Sequence, residues 1–231
     1  MKTTRTIIDL THALSPDIPH WDAECCFRLH VAIDYNDCTA PNLFRVQTME
    51  GKTSAGTHID SPAHCIPGGK TIDALDLEHV MADCVVIRSD DEADEQYLVM
   101  PEKITAFEKE HGKIAPETFV MFYTGWDKHW KSPAKYRNDL KFPSLHEDTA
   151  KLLLERNICG IGIDTLSPDA RGEDFPVHRV LLSADKMIVE NVANAGQLPL
   201  TGAKIIVAPM KIKDATEAPT RLFAVVGHNL M

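Results

Sequence analysis

Apolar residues in this chain gather in many short runs, and that pattern limits the fold more than any other feature. The stretches "DCVVIRS", "TFVMFYTG" and "ICGIGIDTLS" are strand-length and apolar enough to fill strands buried on both faces. "KMIVEN", "AKIIVAP" and "TRLFAVVGH" add three more, and "TRTIIDLTHALS" runs from β-branched residues into a turn at Ser15-Pro16-Asp17. "RLHVAID" and "LFRVQTME" alternate in the manner of a half-buried pair. Two helices are expected. "PEKITAFEKEHGK" offers Pro101 to a first turn and ends near Gly112, while "SLHEDTAKLLLERN" sets Ser144 and Glu147 at capping-box spacing before an Ala150, Leu153, Leu154 stripe. Strands outnumber helices roughly two to one, so an α/β or α+β single domain over residues 1–231 is expected. The stretch 126–144 reads as a packed loop in which Trp126 and Trp130 fill space rather than bind ligand.

Charge narrows the partners. The formal net charge is −10, which argues against nucleic acid and anionic membrane surfaces, and the acidic cluster at 90–95 reads as a solvated loop. Every apolar run is far too short to cross a bilayer, and "MKTTRTIIDL" lacks the apolar core of a secretory leader. Six scattered cysteines without a CxxC pair suit free thiols in a reducing compartment, so a cytoplasmic protein is expected.

One stretch departs from this ordinary composition. "KTSAGTHIDSPAHCIPGG", residues 52–69, places His58, Asp60 and His64 within seven positions between glycines and prolines. With Thr53 to Ile59 as a strand, Ser54, Gly56, His58 and Asp60 share one face, and Gly56 leaves a gap for an ion or ligand. Pro62 ends the pairing, and the following turn can return His64 to that face. Neutral imidazole beside carboxylate suits Zn, Mn, Fe or Ni. The plainer alternative is a hydrogen-bonded His–Asp pair with no ion.

"SAGTHIDSPAH" resembles the HxGTHxDxPxH signature of the cyclase family of metal-dependent hydrolases, which includes kynurenine formamidases (arylformamidases) and isatin hydrolases. "IDLTHALSPDIPHW" resembles the family's N-terminal segment, and "GIDTLSPD", "PVHRVLL", "IVENV" and "APTRLFAVV" resemble its later blocks in the same order, together covering most of the chain. The resemblance implies a swivelling β/β/α fold, a mixed sheet curling towards a barrel with helices outside. It implies metal ligands at His58, Asp60, His178 and Glu190, a catalytic role for His64, and a substrate wall at Trp21 with His20 beside it. It also implies a homodimer or homotetramer.

The first signature position is Ser54 where the family carries a histidine. A hydroxyl is a poor ligand beside imidazole, so one divalent ion per chain is expected, zinc first and manganese next. Ser54 is then expected just behind the ligands, bonding a water or a ligand carboxylate, and Asp164 is expected either to orient a ligand histidine or to cap a strand end. His129, His146 and His228 have no motif around them and are expected at the surface or in structural roles. Such a site suits hydrolysis of an amide, formamide or cyclic amide bond in a small planar substrate, with His64 moving the proton. The alternatives are lactone hydrolysis, dehydration or cyclisation at the same metal, or a non-catalytic binding protein of the same fold.

Overall fold

Seven strands close into a ring, and the ring explains why so many short apolar runs occur. The fold comes from a computed structural model describing residues 5–24, 26–170 and 174–227; Cys25 and His228 fall outside the described residues. In chain order the elements begin with β1 (Thr6–Asp9), β2 (Phe27–Ile33), β3 (Val46–Gly51), β4 (His58–Asp60) and β5 (Met81–Arg88). Then come β6 (Leu98–Val99), α1 (Pro101–His111), β7 (Phe119–Tyr123), α2 (Pro133–Arg137), β8 (Ser144–Leu145) and α3 (Glu147–Glu155). β9 (Gly160–Ile163), α4 (Pro176–Ser183), β10 (Met187–Glu190), β11 (Ala203–Pro209) and β12 (Glu217–Val226) complete the series. The sheet order is β1-β12-β11-β5-β7-β9-β10-β4, and β4 pairs back onto β12 to close the barrel. The β5–β7–β9–β10 run is parallel and the remaining pairs are antiparallel, a mixed sheet as expected.

Both faces of the central strands are buried. Phe119 and Met121 of β7 join one apolar cluster with Val86, Ile205 and Leu222, while Val120 and Phe122 join another with Ile104 of α1, Leu153 of α3 and Leu181 of α4. The first cluster therefore faces the barrel interior and the second seats the helices. Burying each such large side chain contributes about 1.5–3 kcal/mol. Gly162 of β9 is required here, because a Cβ would lie 2.9 Å from Met121 Cε and 3.0 Å from Phe119 Cε1.

Several expectations change in detail. α3 begins at Glu147, not after a Ser144 cap. Ser144 is committed to β8, donating its backbone N–H to Tyr97, and His146 caps instead by accepting from the Asp148 N–H at 3.1 Å. The 126–144 stretch carries a 3-10 turn and the short α2, with Trp126, Tyr136 and Phe142 buried together. Trp130 stacks on His12 with ring centroids 3.8 Å apart. Among the described residues β2 and β3 pair only with each other, and they are exposed along nearly all their length, so their alternation marks a projecting ribbon. Among the described residues no helix is long and apolar enough to cross a membrane.

Candidate metal centre

Barrel closure assembles the site. β4 lies between β10 and β12, with Glu190 opposite His58 on one side and Glu217 opposite Asp60 on the other. The strand is shorter than the sequence suggests, because residues 53–57 form turns and only His58–Asp60 pair. Gly56 has φ +66°, and a Cβ there would lie 2.6 Å from Leu14 Cδ2. The space over Gly56 thus belongs to Leu14 and not to an ion. What Gly56 offers the site is its carbonyl, which accepts from His58 Nδ1–H and from Asn191 Nδ2–H, each at 3.0 Å. That bond leaves His58 Nε2 aimed into the cavity.

His178 arrives from α4, a helix the residue pattern does not announce. Its N-terminus is capped through space: Asp169 accepts the backbone N–H groups of Val177 and His178, each at 3.0 Å. The same carboxylate accepts His178 Nδ1–H at 2.7 Å, fixing Nε2 towards Asp60 and Glu190. Asp169, rather than Asp164, is therefore the carboxylate that orients His178. Asp164 instead accepts from the Thr124 and Trp126 backbones and the Thr124 hydroxyl at 2.8–2.9 Å, and burial pushes its pKa up to about 6. Asp169→Asn is expected to weaken metal affinity by about 10–100-fold, read by competition with a chromogenic chelator. Unchanged affinity would remove Asp169 from the site.

Four donors form a closed ring. His58 Nε2 lies 3.5 Å from Asp60 Oδ1, Asp60 Oδ2 lies 3.4 Å from His178 Nε2, His178 Nε2 lies 3.3 Å from Glu190 Oε1, and Glu190 Oε2 lies 3.4 Å from His58 Nε2. The edges run through a different oxygen of Asp60 and of Glu190 on each side; one donor atom each from Asp60, His178 and Glu190 lies within 4.8 Å of the others. All four residues are buried, yet among the described residues Asp60 Oδ1, Asp60 Oδ2 and Glu190 Oε1 find no hydrogen-bond partner. Buried carboxylate oxygens left bare are costly, and a divalent cation satisfies them. The donor set fits a divalent metal.

Electrostatics agree. Burial opposes charging His58, but Glu190, Asp60 and the Gly56 carbonyl outweigh it and lift its pKa to about 9. Burial likewise opposes charging His178, and Asp169, Asp60 and Glu190 raise it well above the ordinary imidazole value. Burial alone would raise Asp60, but the two histidines hold it low. Without metal, protons thus supply the positive charge that the carboxylates require. His58 is raised on folding, so its contribution to stability is complete below its ordinary value of 6.5 and lost as pH rises through about 9. The melting temperature of chelator-treated protein is expected to fall across that window. The stabilisation by added metal is expected to grow across it, as fewer protons compete. A flat metal-free profile would contradict this charge assignment.

The cavity of about 370 Å³ is lined by Trp21, Leu166 and Phe175 on its apolar side and by the donors on its polar side. Phe175 holds a left-handed φ of +42° and packs between Trp21 and His178, with centroids 5.8 Å from each. Such strain away from glycine is characteristic of functional sites. The Pro62–His64 turn does return His64 to the cavity, a third exposed, with its ring 5.8 Å from that of His178. His20 lines the wall with Nε2 3.4 Å from Ser54 Oγ, and burial, with Lys52 nearby, lowers its pKa. Ser54 is therefore turned to His20 and bonds no ligand carboxylate. At the rim, Lys52 pairs with Asp22. Residue reasoning missed Asp169, Phe175, Asn191 and Glu217; of these Asp169 and Asn191 lay inside motifs already singled out, "GIDTLSPD" and "IVENV".

Comparison with known proteins agrees with this geometry. Residues 8–170 match the family described as "Putative cyclase". An isatin hydrolase of Roseibium aggregatum is 31% identical over 243 aligned positions, covering 95% of this chain and 91% of the relative. A kynurenine formamidase of Polaromonas naphthalenivorans is 30% identical over 168 positions, covering 72% and 68%. The crystal structure of an isatin hydrolase bound to the product analogue thioisatinate superposes with a TM-score of 0.88 at 28% identity, over 96% of this chain and 93% of that one. With the barrel, the ordered motif blocks and these matches in agreement, the chain belongs to the putative cyclase family.

Proposed function

We propose that the protein is a divalent-metal-dependent hydrolase that opens an amide, formamide or cyclic amide bond in a small planar substrate. The observation that carries this reading is the buried ring of His58, Asp60, His178 and Glu190, whose bare carboxylate oxygens sit beside a partly exposed His64. When bound, a divalent ion at this ring acidifies water and polarises a carbonyl oxygen. Zinc is the first candidate and manganese the second, with one tightly held ion per chain. His64 takes a proton from the attacking water and delivers it to the departing nitrogen, so that the C–N bond breaks as a carboxylate forms. Trp21 and Phe175 offer flat walls to an aromatic substrate and help exclude bulk water.

Similarity to an isatin hydrolase and a kynurenine formamidase supports C–N bond cleavage outside peptides. A homodimer or homotetramer belongs to the same reading, supported by the ribbon of β2 and β3. That ribbon exposes Leu29, Val31, Val46 and Met49, and an isolated two-stranded ribbon is marginal in water. A cytoplasmic location is consistent with the buried thiols of Cys84 and Cys159, which burial pushes up to about 12. The test is turnover of isatin, N-formylkynurenine and a simple aromatic lactone by the metal-loaded enzyme. Faster turnover of either nitrogen substrate supports the proposal. Preference for the lactone would replace it with ester chemistry at the same site, and turnover of none would favour a binding protein.

A further inference from the structure

We propose that Ser54 is a specificity-determining residue whose hydroxyl donates to a second carbonyl oxygen of the substrate, close to the amide that is opened. His20 is the positioning residue that directs this donation. The inference rests on the hydrolase reading and names its substrate class more closely. Ser54 is half-buried and lines the cavity together with His20, Trp21 and the four donors. His20 is 6% exposed, and both its ring nitrogens are engaged: Nδ1 faces the backbone N–H of Asp22 at 3.3 Å and Nε2 faces Ser54 Oγ at 3.4 Å. A backbone N–H can only donate, so Nδ1 accepts. Burial, with Lys52 nearby, lowers the His20 pKa and keeps the ring neutral, so its single proton sits on Nε2. Nε2–H therefore donates to Ser54 Oγ, and the serine's own proton is left to donate elsewhere.

The cavity decides where that proton goes. Three other polar side chains on its wall are engaged or covered. Lys52 pairs with Asp22, Asn191 bonds both the Gly56 carbonyl and the Tyr136 hydroxyl, and Ser167 is 2% exposed and accepts the Asp169 N–H. Among the described residues Lys52 is the one Lys or Arg side chain on the wall, and Asp22 neutralises it, so a carbonyl suits this subsite better than a carboxylate. Serine is also shorter than the histidine expected at that signature position, which leaves a substrate atom room to approach. Trp21 and Phe175 hold the plane of an aromatic substrate, but flat walls fix no rotation within that plane. A directed hydrogen bond from Ser54 fixes the rotation and turns the amide carbonyl towards the four donors.

The test uses metal-loaded full-length protein and two compounds. Isatin carries a second carbonyl beside its amide, and oxindole, added as a competing ligand, has a methylene in its place. Ser54→Ala is expected to raise the KM for isatin about three- to tenfold, as for one lost hydrogen bond, while the inhibition constant of oxindole moves less than about twofold. Ser54→Thr, which keeps a hydroxyl, is expected to stay near the parent on both. His20→Ala is expected to repeat the isatin loss, and His20→Gln, whose amide N–H can stand in for Nε2–H, to recover most of it. Failure of that recovery would overturn the role given to His20. If Ser54→Ala folds poorly by circular dichroism, Ser54→Cys, a weaker donor, carries the same comparison. An equal loss for isatin and oxindole, or an unchanged isatin KM, would overturn the assignment and leave Ser54 as wall only. A fall in kcat alone would also overturn it, by placing the hydroxyl on the scissile group. If isatin binds without turnover, dissociation constants from tryptophan fluorescence replace KM and the same contrast decides, so the proposed function can fail while this assignment stands. Binding of neither compound by protein that turns over another nitrogen substrate would overturn this assignment and leave the proposed function standing. Binding of neither, with no nitrogen substrate turned over, would overturn both.

Discussion

His64→Ala is expected to lower turnover by about a hundredfold or more while leaving metal content close to that of the unmodified protein. The expectation follows from where His64 stands. Its ring is near that of His178, but none of the close contacts within the ring of four donors involves it. It is a third exposed, whereas the histidines of the ring are nearly inaccessible. A side chain in that position can exchange protons with substrate and solvent without being consumed by coordination. The measurements are turnover on a nitrogen substrate and metal content by elemental analysis on the same preparation. Loss of metal with His64 would make it a ligand and invert the division of roles.

His58→Ala is expected to fail differently, losing metal and activity together. His58 is 3% exposed, its Nδ1–H is committed to Gly56, and its Nε2 faces both Asp60 and Glu190. Removing the imidazole deletes one donor and leaves two carboxylates facing each other with less compensating charge. Breaking a buried charge pair in this way costs about 3–5 kcal/mol. The metal-free variant is therefore also expected to melt below the metal-free parent. Retained metal at full stoichiometry would show that Asp60, His178 and Glu190 suffice alone, and the ring would lose a member.

Much of the barrel was legible because burial on both faces leaves a direct mark on residue choice. β5 and β7 must be apolar at successive positions, since one side chain enters the barrel and the next meets a helix, while β9 sends Ile161 and Ile163 to the helices and keeps glycine on its other face. The His58 and Asp60 pair was legible because the two side chains share one strand face. Their partners His178 and Glu190 were legible only through resemblance, since nothing local shows that β10 pairs with β4. α4 went unread because its cap is Asp169, beyond the reach of any local capping pattern. Ser144 misled for the opposite reason: the local signal was sound, but strand pairing claimed its backbone first. Gly56 was read as a gap because a strand was assumed, and its positive φ turns the chain before the strand begins. Glu217 carries no signal in sequence, as its place depends on register across a closed barrel.

On the proposed function, the ring of His58, Asp60, His178 and Glu190 holds a divalent ion on which hydrolysis depends. The direct measurement is hydrolysis of isatin and N-formylkynurenine by protein stripped with a chelator, then titrated with Zn²⁺ or Mn²⁺ while bound metal is counted. Turnover near background is expected in the stripped protein, rising in step with the first ion bound per chain. Full turnover in protein shown to hold no divalent metal would contradict it.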